Sequence, residues 1–324
     1  MVRSAISGGR TWPSIPRKRY RIAVLGARYS GKTTLINSWC GEWVADEADP
    51  GRTQSPKFYE KTKLITEGLR VTLTKLVDVS GSIDAWPTWV LSNHDNPRVL
   101  STFGDDSPAM RVPSAKLLET MILTLRGTPF LYEGDELGMT NYPFKKLADY
   151  RDVAVENAYK AKVETGKISA AAFLADQAKL TRDNARTPMQ WDSSPEAGFT
   201  TGTHPWLVVN RNYRQINAAQ EESGSNSVLN YVRTLIKLRA HTLAFVYGDY
   251  QDLDPQNDQI YAYTRTLGEN RYLVIENFSS SPVTYTLPNG LKAATLLLSD
   301  IPASREENAS TLNLAPWESR IYKQ

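Results

Sequence analysis

The sequence predicts an α/β protein followed by an all-β module, and three observations carry that prediction. Strand-like and helix-like runs alternate from residue 20 to about residue 239. Within that stretch Leu118, Met121, Ile122 and Leu125 recur at i, i+3, i+4 and i+7, the spacing of one helix face. From Tyr247 onward the apolar period changes to two, with turn residues between the runs, as in an antiparallel sheet. A length of 324 residues suits two domains. With 41% apolar and 10% aromatic residues the chain can build a buried core, which excludes wholesale disorder. Eight Trp and sixteen Tyr supply rings that fill cores and also stack on sugars or bases. Thirty-eight basic residues against thirty-five acidic ones leave a net charge of +3, so no nucleic acid is expected as a partner. Cys40 stands alone, which excludes an internal disulfide and a cysteine-built zinc site. No apolar run has transmembrane length and the N-terminus has no signal-type stretch, so a cytoplasmic protein without membrane contact is the expectation.

Taken in order, residues 1–21 read as a basic flexible tail. Arg3, Arg10, Arg17, Lys18, Arg19 and Arg21 have no acidic neighbours there, and Gly8, Gly9, Pro13 and Pro16 break regular structure. A nucleic-acid or lipid-surface arm is the alternative reading of that charge. Residues 20–25 form a strand-like run, then a glycine turn, then a helix-like start at 33–39. Acidic loop follows over 41–56, and two further strand-like runs cover 61–65 and 69–77. The character then changes. Residues 86–92 make an aromatic strand, 109–126 a helix and 128–132 a short strand. Residues 147–183 give two Ala-rich helices broken at Gly166, 184–224 a loop, and 227–239 a helix with Val228, Tyr231, Val232, Leu235 and Leu238 on one face. Strands are expected at 259–265, 272–278, 283–287, 294–298 and 320–322.

Two stretches carry chemistry. Gly26-Ala27-Arg28-Tyr29-Ser30-Gly31-Lys32-Thr33 fits G-x-x-x-x-G-K-[ST]. In such a loop the glycines let the backbone wrap a phosphate, Lys32 adds charge, and Thr33 can ligate Mg²⁺. An ordinary glycine turn is the structural alternative. Leu76-Val77-Asp78-Val79-Ser80-Gly81 resembles the Asp-x-x-Gly element of Ras-like P-loop GTPases, where the aspartate holds Mg²⁺ and the glycine meets the γ-phosphate. That resemblance implies GTP or ATP with Mg²⁺ at Gly26, Ser30, Gly31, Lys32, Thr33, Asp78 and Gly81, with Thr33 and Asp78 on the metal. No Asn-Lys-x-Asp base-reading element follows, and Ser82 stands where many such GTPases carry a glutamine.

The second stretch is longer. Trp86-Pro87-Thr88-Trp89-Val90-Leu91-Ser92-Asn93-His94-Asp95-Asn96-Pro97-Arg98 comes first. Leu123 to Met139, with Gly127-Thr128-Pro129-Phe130-Leu131-Tyr132-Glu133-Gly134-Asp135-Glu136, comes next, and Asn184-Ala185-Arg186-Thr187-Pro188-Met189-Gln190-Trp191-Asp192 follows. From about residue 84 to the C-terminus the chain resembles glycoside hydrolase family 13, in its α-glucosidase and oligo-1,6-glucosidase group. The resemblance implies the last strands and helices of a (β/α)₈ barrel followed by a C-terminal antiparallel β-sandwich. The run ending at Asp95 would be the seventh barrel strand and 128–132 the eighth, and barrel active sites lie at the C-terminal ends of strands. It further implies that His94 hydrogen-bonds the sugar in the cleaved subsite. Asp95 would bind its hydroxyls and stabilise the oxocarbenium-like transition state, with Arg98 lining the same pocket and Arg186 binding substrate from a loop close to the leaving-group side. Asp135 and Glu136 would be structural. The implied substrate is an α-glucoside oligosaccharide, and no cofactor is required. By residue chemistry alone, a His-Asp pair is more often a hydrogen-bonded surface feature, and Trp317 reads as a core residue.

The expected layout is therefore a tail over 1–21 and a nucleotide-binding-like segment, a partial P-loop α/β sheet, over 22–82. A partial glycosidase barrel over 83–244 and a β-sandwich over 245–324 complete it. Retaining glycoside cleavage needs two carboxyl groups about 5 Å apart, a nucleophile and an acid. In the family both come from strands that precede the one ending at Asp95. No Gly-x-Arg-x-Asp-like stretch occurs in residues 1–85. The chain is thus expected to be α-glucosidase-like by descent and hydrolytically incompetent as it stands. A nucleotide-binding module with an appended carbohydrate-type part and a non-catalytic carbohydrate-binding scaffold are the competing readings.

Overall fold

The computed structural model describes residues 86–202, 204–288, 290–302 and 308–324. The expected tail and the nucleotide-binding-like segment lie outside the described residues, and with them Gly26, Ser30, Gly31, Lys32, Thr33, Asp78 and Gly81. Strands β1 (Thr88–Val90) and β2 (Thr128–Phe130) pair in parallel, with Thr88 opposite Thr128 and Val90 opposite Phe130. Parallel neighbours need a crossover. Here it consists of α1 (Val99–Phe103) and α2 (Arg111–Thr124). The return into β2 is tight: Gly127 has φ +119°, and a Cβ there would lie 2.4 Å from the carbonyl oxygen of Pro87. Only glycine fits both that conformation and that approach.

The apolar stripe of α2 is real but understates its burial. Every residue from Ser114 to Thr124 is buried, because the helix runs between the parallel strands, a later helix and the C-terminal sheet. Three of its buried polar side chains, Lys116, Thr120 and Thr124, have partners, whereas Glu119 Oε2 is buried without one. Lys116 Nζ donates to Asn226 Oδ1 at 2.6 Å and to the Asp300 carbonyl at 3.0 Å. Thr120 Oγ1 lies 2.7 Å from the Tyr231 hydroxyl, and Thr124 Oγ1 bonds the Tyr263 hydroxyl. Buried polar atoms paired in this way avoid the desolvation penalty that would otherwise break the helix's fit.

Beyond β2 the chain makes a helical excursion. α3 (Val153–Tyr159) runs on through a π turn at Lys160–Glu164, and α4 (Ala170–Leu180) follows. The break falls at Gly166, which adopts φ +72°. Asp152 caps α3 by accepting from Ala154 N, and Ser169 caps α4 by accepting from Ala172 N. The excursion closes on its own small core of Phe144, Tyr150, Val155, Phe173 and Leu207. Three helices end this part: α5 (Ala218–Ser223), α6 (Val228–His241) and α7 (Leu243–Tyr247). α6 buries Val228, Tyr231, Val232 and Leu235.

The period-2 region forms a five-stranded antiparallel sheet in the order β3-β4-β5-β9-β7, with a β6-β8 ribbon beside it. The strands are β3 (Asp249–Asp252), β4 (Ile260–Leu267), β5 (Asn270–Asn277), β6 (Val283–Thr286), β7 (Thr295–Ser299), β8 (Thr311–Leu314) and β9 (Ser319–Lys323). Alternation sorts each central strand between two cores. Tyr261, Tyr263, Val274 and Ile321 join Leu118, Met121, Val232 and Leu235 on the helical side. Ile260, Ala262, Leu273, Ile275 and Tyr322 meet Tyr285, Leu312 and Leu314 of the ribbon. Trp317 is fully buried in the first of these cores, as expected. Each such aliphatic side chain contributes about 1.5–3 kcal/mol by its burial. The sheet and the helical part therefore share one core instead of meeting across a polar seam. β3 and β8 escape the sequence reading. β3 is a polar edge strand, Asp-Tyr-Gln-Asp, ordered by its pairing with β4. β8 is four residues ordered by its pairing with β6. No helix among the described residues is long and apolar enough to cross a membrane.

Candidate active site

The site is built where β1 ends. Ser92 Oγ bonds the Asp135 carboxylate, which fixes the end of β1 to the turn after β2. Asn93 then folds the chain over: its Oδ1 accepts from Asp95 N at 2.8 Å and from Asn96 Nδ2 at 2.9 Å. This turn puts His94 and Asp95 outward, with side chains 69% and 52% exposed, and their Nε2 and Oδ2 lie 3.3 Å apart. Two arginines from a distant segment close on the other carboxylate oxygen. Arg182 Nη1 reaches Asp95 Oδ1 at 3.0 Å and Arg186 Nη2 reaches it at 2.9 Å. Arg186 Nε also donates to the His94 carbonyl at 2.8 Å. Burial works against the charged form of Asp95. The hydrogen bond from Arg182, the charges of His94 and Arg182, and the hydrogen bond from Arg186 together outweigh it, so the carboxyl is held below its ordinary range.

The structure brings together three of the four residues expected here: His94, Asp95 and Arg186. Arg98 is placed differently from the expectation. It stands at the start of α1, 1% exposed, and its guanidinium points inward. It donates to the carbonyls of Glu133 at 2.6 Å, Asn184 at 3.2 Å and Thr187 at 3.3 Å. Its side chain thus lines no open pocket and instead ties the β2 turn to the segment that carries Arg186. Gly134 makes room for it: φ is +96°, and a Cβ there would fall 2.7 Å from Arg98 Nη1. Asp135 accepts from Ser92, and Glu136 makes a local hydrogen bond within the turn after β2. Glu136 Oε2 accepts from Gly134 N at 2.8 Å. Burial pushes the Asp135 carboxyl up to about 6, against the opposing pull of its Ser92 hydrogen bond and the Arg98 charge.

Two participants have no signature in the sequence. Arg182 sits four residues before Arg186 in a short turn, and neither it nor Asp152 falls within a motif read from the sequence. The structure joins them: Arg182 Nε and Nη2 meet the two Asp152 oxygens at 2.7 and 2.8 Å. Chemically, the site offers an ionised, half-exposed carboxylate beside an imidazole, framed by two guanidiniums. Such a group accepts hydrogen bonds from neighbouring hydroxyls and stabilises developing positive charge. Asp152 is held by both oxygens on Arg182 and is no second free carboxylate. Among the described residues no group of three or more His, Cys, Asp or Glu is placed to hold a metal ion.

The polar site lies at the C-terminal ends of a short parallel strand pair, where the active sites of (β/α)₈ barrels are found. The profile described as "Alpha amylase, catalytic domain" matches residues 50–248, and that of the "Alpha-amylase SusG C-terminal domain" matches 260–321. The chain belongs to the α-amylase family. It is 43% identical to an oligo-1,6-glucosidase of Parageobacillus thermoglucosidasius over 240 residues, which are 74% of this chain and 42% of that one. Identity to the trehalose-6-phosphate hydrolase of Bacillus subtilis (strain 168) is 41% over 243 residues, again 74% and 42% of the two chains. Among solved structures, the trehalulose synthase MutB of Pseudomonas mesoacidophila MX-45 aligns with a TM-score of 0.74 and 50% identity, over 78% of this chain and 46% of that one. The isomaltulose synthase PalI of Klebsiella sp. LX3 gives 0.73 and 46%, with the same coverages. The chain spans less than half the length of each of these relatives. The catalytic-domain match begins at residue 50, not at 83. Asp78 and Gly81, read as nucleotide-binding, fall inside the matched stretch, whereas Gly26 to Thr33 precede it.

Proposed function

We propose that this chain carries the sugar-holding wall of an α-glucoside-processing site, with Asp95 as the transition-state-stabilising carboxylate and His94 and Arg186 binding the sugar beside it. Arg98 supports the same site from behind. The observation that supports this reading best is the paired arrangement of Asp95. One oxygen is saturated by Arg182 and Arg186, and the other is left beside His94 on the exposed side. That is the geometry of a carboxylate kept charged and aimed for hydroxyls. The substrate class follows from the relatives, whose names cover oligo-1,6-glucosides and trehalose 6-phosphate, and from the MutB structure in complex with sucrose. All are α-glucosides.

The chain itself is expected to bind such sugars and not to hydrolyse them, since residues 1–85 hold no Gly-x-Arg-x-Asp-like stretch to supply a nucleophile. Two measurements test this on the purified chain. Isomaltose titrated into ¹⁵N-labelled protein should shift resonances around His94 and Asp95, and Asp95→Ala should abolish the shifts. Release of p-nitrophenol from p-nitrophenyl α-glucoside should stay at background. Turnover lost on Asp95→Ala would overturn the incompetence, and shifts that survive Asp95→Ala would overturn the site.

A further inference from the structure

We infer that Asp152 is a positioning residue of the sugar site: it fixes the plane of Arg182, and through Arg182 the carboxylate of Asp95. The inference deepens the proposed function and rests on it for the identity of the ligand. Its basis is the division of labour around one guanidinium. A guanidinium is planar, and its Nε–Nη2 edge matches a carboxylate in a two-point contact. That edge of Arg182 is taken by Asp152, at 2.7 and 2.8 Å. With the plane set, Nη1 has one direction left, and it meets Asp95 Oδ1 at 3.0 Å. Burial says which partner is the anchor. The Asp152 side chain is 7% exposed, that of Arg182 38% and that of Asp95 52%. Order runs outward from Asp152.

Asp152 is itself held from two sides. Its backbone N–H donates to Asp183 Oδ2 at 3.0 Å, and the Arg151 N–H donates to the same oxygen at 2.7 Å. Its own Oδ1 also accepts from Ala154 N at the start of α3. Arg182 and Asp183 are consecutive, and so are Arg151 and Asp152. The side chain of each acid thus clamps the opposite segment. The clamp closes the neck of the α3–α4 excursion, because residues 151–152 enter it and 182–183 leave it. A helical subdomain with its own core is therefore joined to the exposed carboxylate through Arg182. The Arg186 side chain reaches the same Asp95 oxygen with no hydrogen bond to Asp152 or to the Arg182 side chain, so loss of Asp152 should weaken the site and not erase it.

The test is a double-mutant cycle in the full chain: Asp152→Asn, Arg182→Ala and the two combined, with isomaltose affinity read by NMR titration. Asparagine keeps the cap on α3 while losing the charged two-point contact. Exchange of the Arg182 Nε–H is read in the same samples. We expect Asp152→Asn and Arg182→Ala each to weaken isomaltose by about tenfold, and the double variant to bind no more weakly than Arg182→Ala. Exchange of Arg182 Nε–H should be at least tenfold faster in Asp152→Asn. A merely structural Asp152 predicts additive losses. Additivity, or unchanged Nε–H exchange, overturns the inference. Arg182→Lys gives a second route. Lysine keeps the charge without the fork, so it should bind as weakly as Arg182→Ala, and wild-type affinity would also overturn the inference. Should the wild-type chain fail to bind isomaltose, the sugar-site reading is what falls, and Nε–H exchange alone decides whether Asp152 orders Arg182.

Discussion

Replacing Arg98 by methionine should destabilise the fold by about 3 kcal/mol, and the structure shows where that figure comes from. Methionine matches the length of the stem and fills the space of its apolar part, so the cavity term is small. The loss is in the carbonyls. Those of Glu133, Asn184 and Thr187 all accept from the guanidinium. Asn184 keeps a second donor, Thr187 Oγ1 at 3.0 Å. That of Thr187 loses its Arg98 donor in a buried setting, where an acceptor left unpaired costs about 1–3 kcal/mol, and that of Glu133 loses its own in a partly buried one, at the lower end of that range. Against this stands the relief of no longer burying a guanidinium, whose desolvation is visible in the lowered pKa of Arg98. The balance falls near the middle of the range expected for breaking a buried charged network. Urea unfolding followed by tryptophan fluorescence measures it: the midpoint should fall with the slope unchanged. Arg98→Lys should recover less than half the loss, because one ammonium cannot serve three carbonyls spread around it. A change below about 1 kcal/mol for Arg98→Met would refute the assignment of Arg98 as the tie between the β2 turn and the Arg186 segment.

Other outcomes follow from the same structure. Asp135→Asn should flatten the pH dependence of stability between pH 7 and 4. The folded carboxyl is raised to about 6, so the folded state binds the proton more tightly than the unfolded state, and wild-type stability rises as pH falls through that window. A displacement from about 3.9 to that value corresponds to about 3 kcal/mol, read as the difference in unfolding free energy at the two pH values. The contribution of Asp95 has the opposite sign. Its pKa is depressed, so its ion pairs should persist above the unfolded value of about 3.9 and be lost as pH falls through the lower folded pKa, which a ¹³C carboxyl titration follows. Gly134→Ala should cost about 1–3 kcal/mol, because a Cβ meets Arg98 Nη1 at 2.7 Å and Met139 Sδ at 2.6 Å in a left-handed backbone; unchanged thermal stability would contradict this. Phe173→Ala should cost about 3–5 kcal/mol by emptying the small core of the excursion, and proteolysis should then cut first within α3–α4.

His94 and Asp95 are adjacent in the chain and flanked by a long motif, so a linear reading finds them, and the strand before them makes their outward turn foreseeable. The helix faces of α2 and α6 and the period-2 strands are legible for the same reason, since local periodicity reports which side is buried. Sequence could not say that α2 is buried all round, because that depends on a sheet some 150 residues later packing on its second face. Nor could it aim Arg98, which lies three residues beyond Asp95 yet points the other way once α1 begins. Arg182 and Asp152 are 87 and 57 residues from Asp95, and no spacing rule links them. Their meeting is decided by the clamp between residues 151–152 and 182–183. The sequence by itself thus determined the family-like strands, the helices and the exposed carboxylate. The tertiary structure alone decided which charges surround that carboxylate, because Coulomb and hydrogen-bond terms act over a few ångströms of space and take no account of separation along the chain.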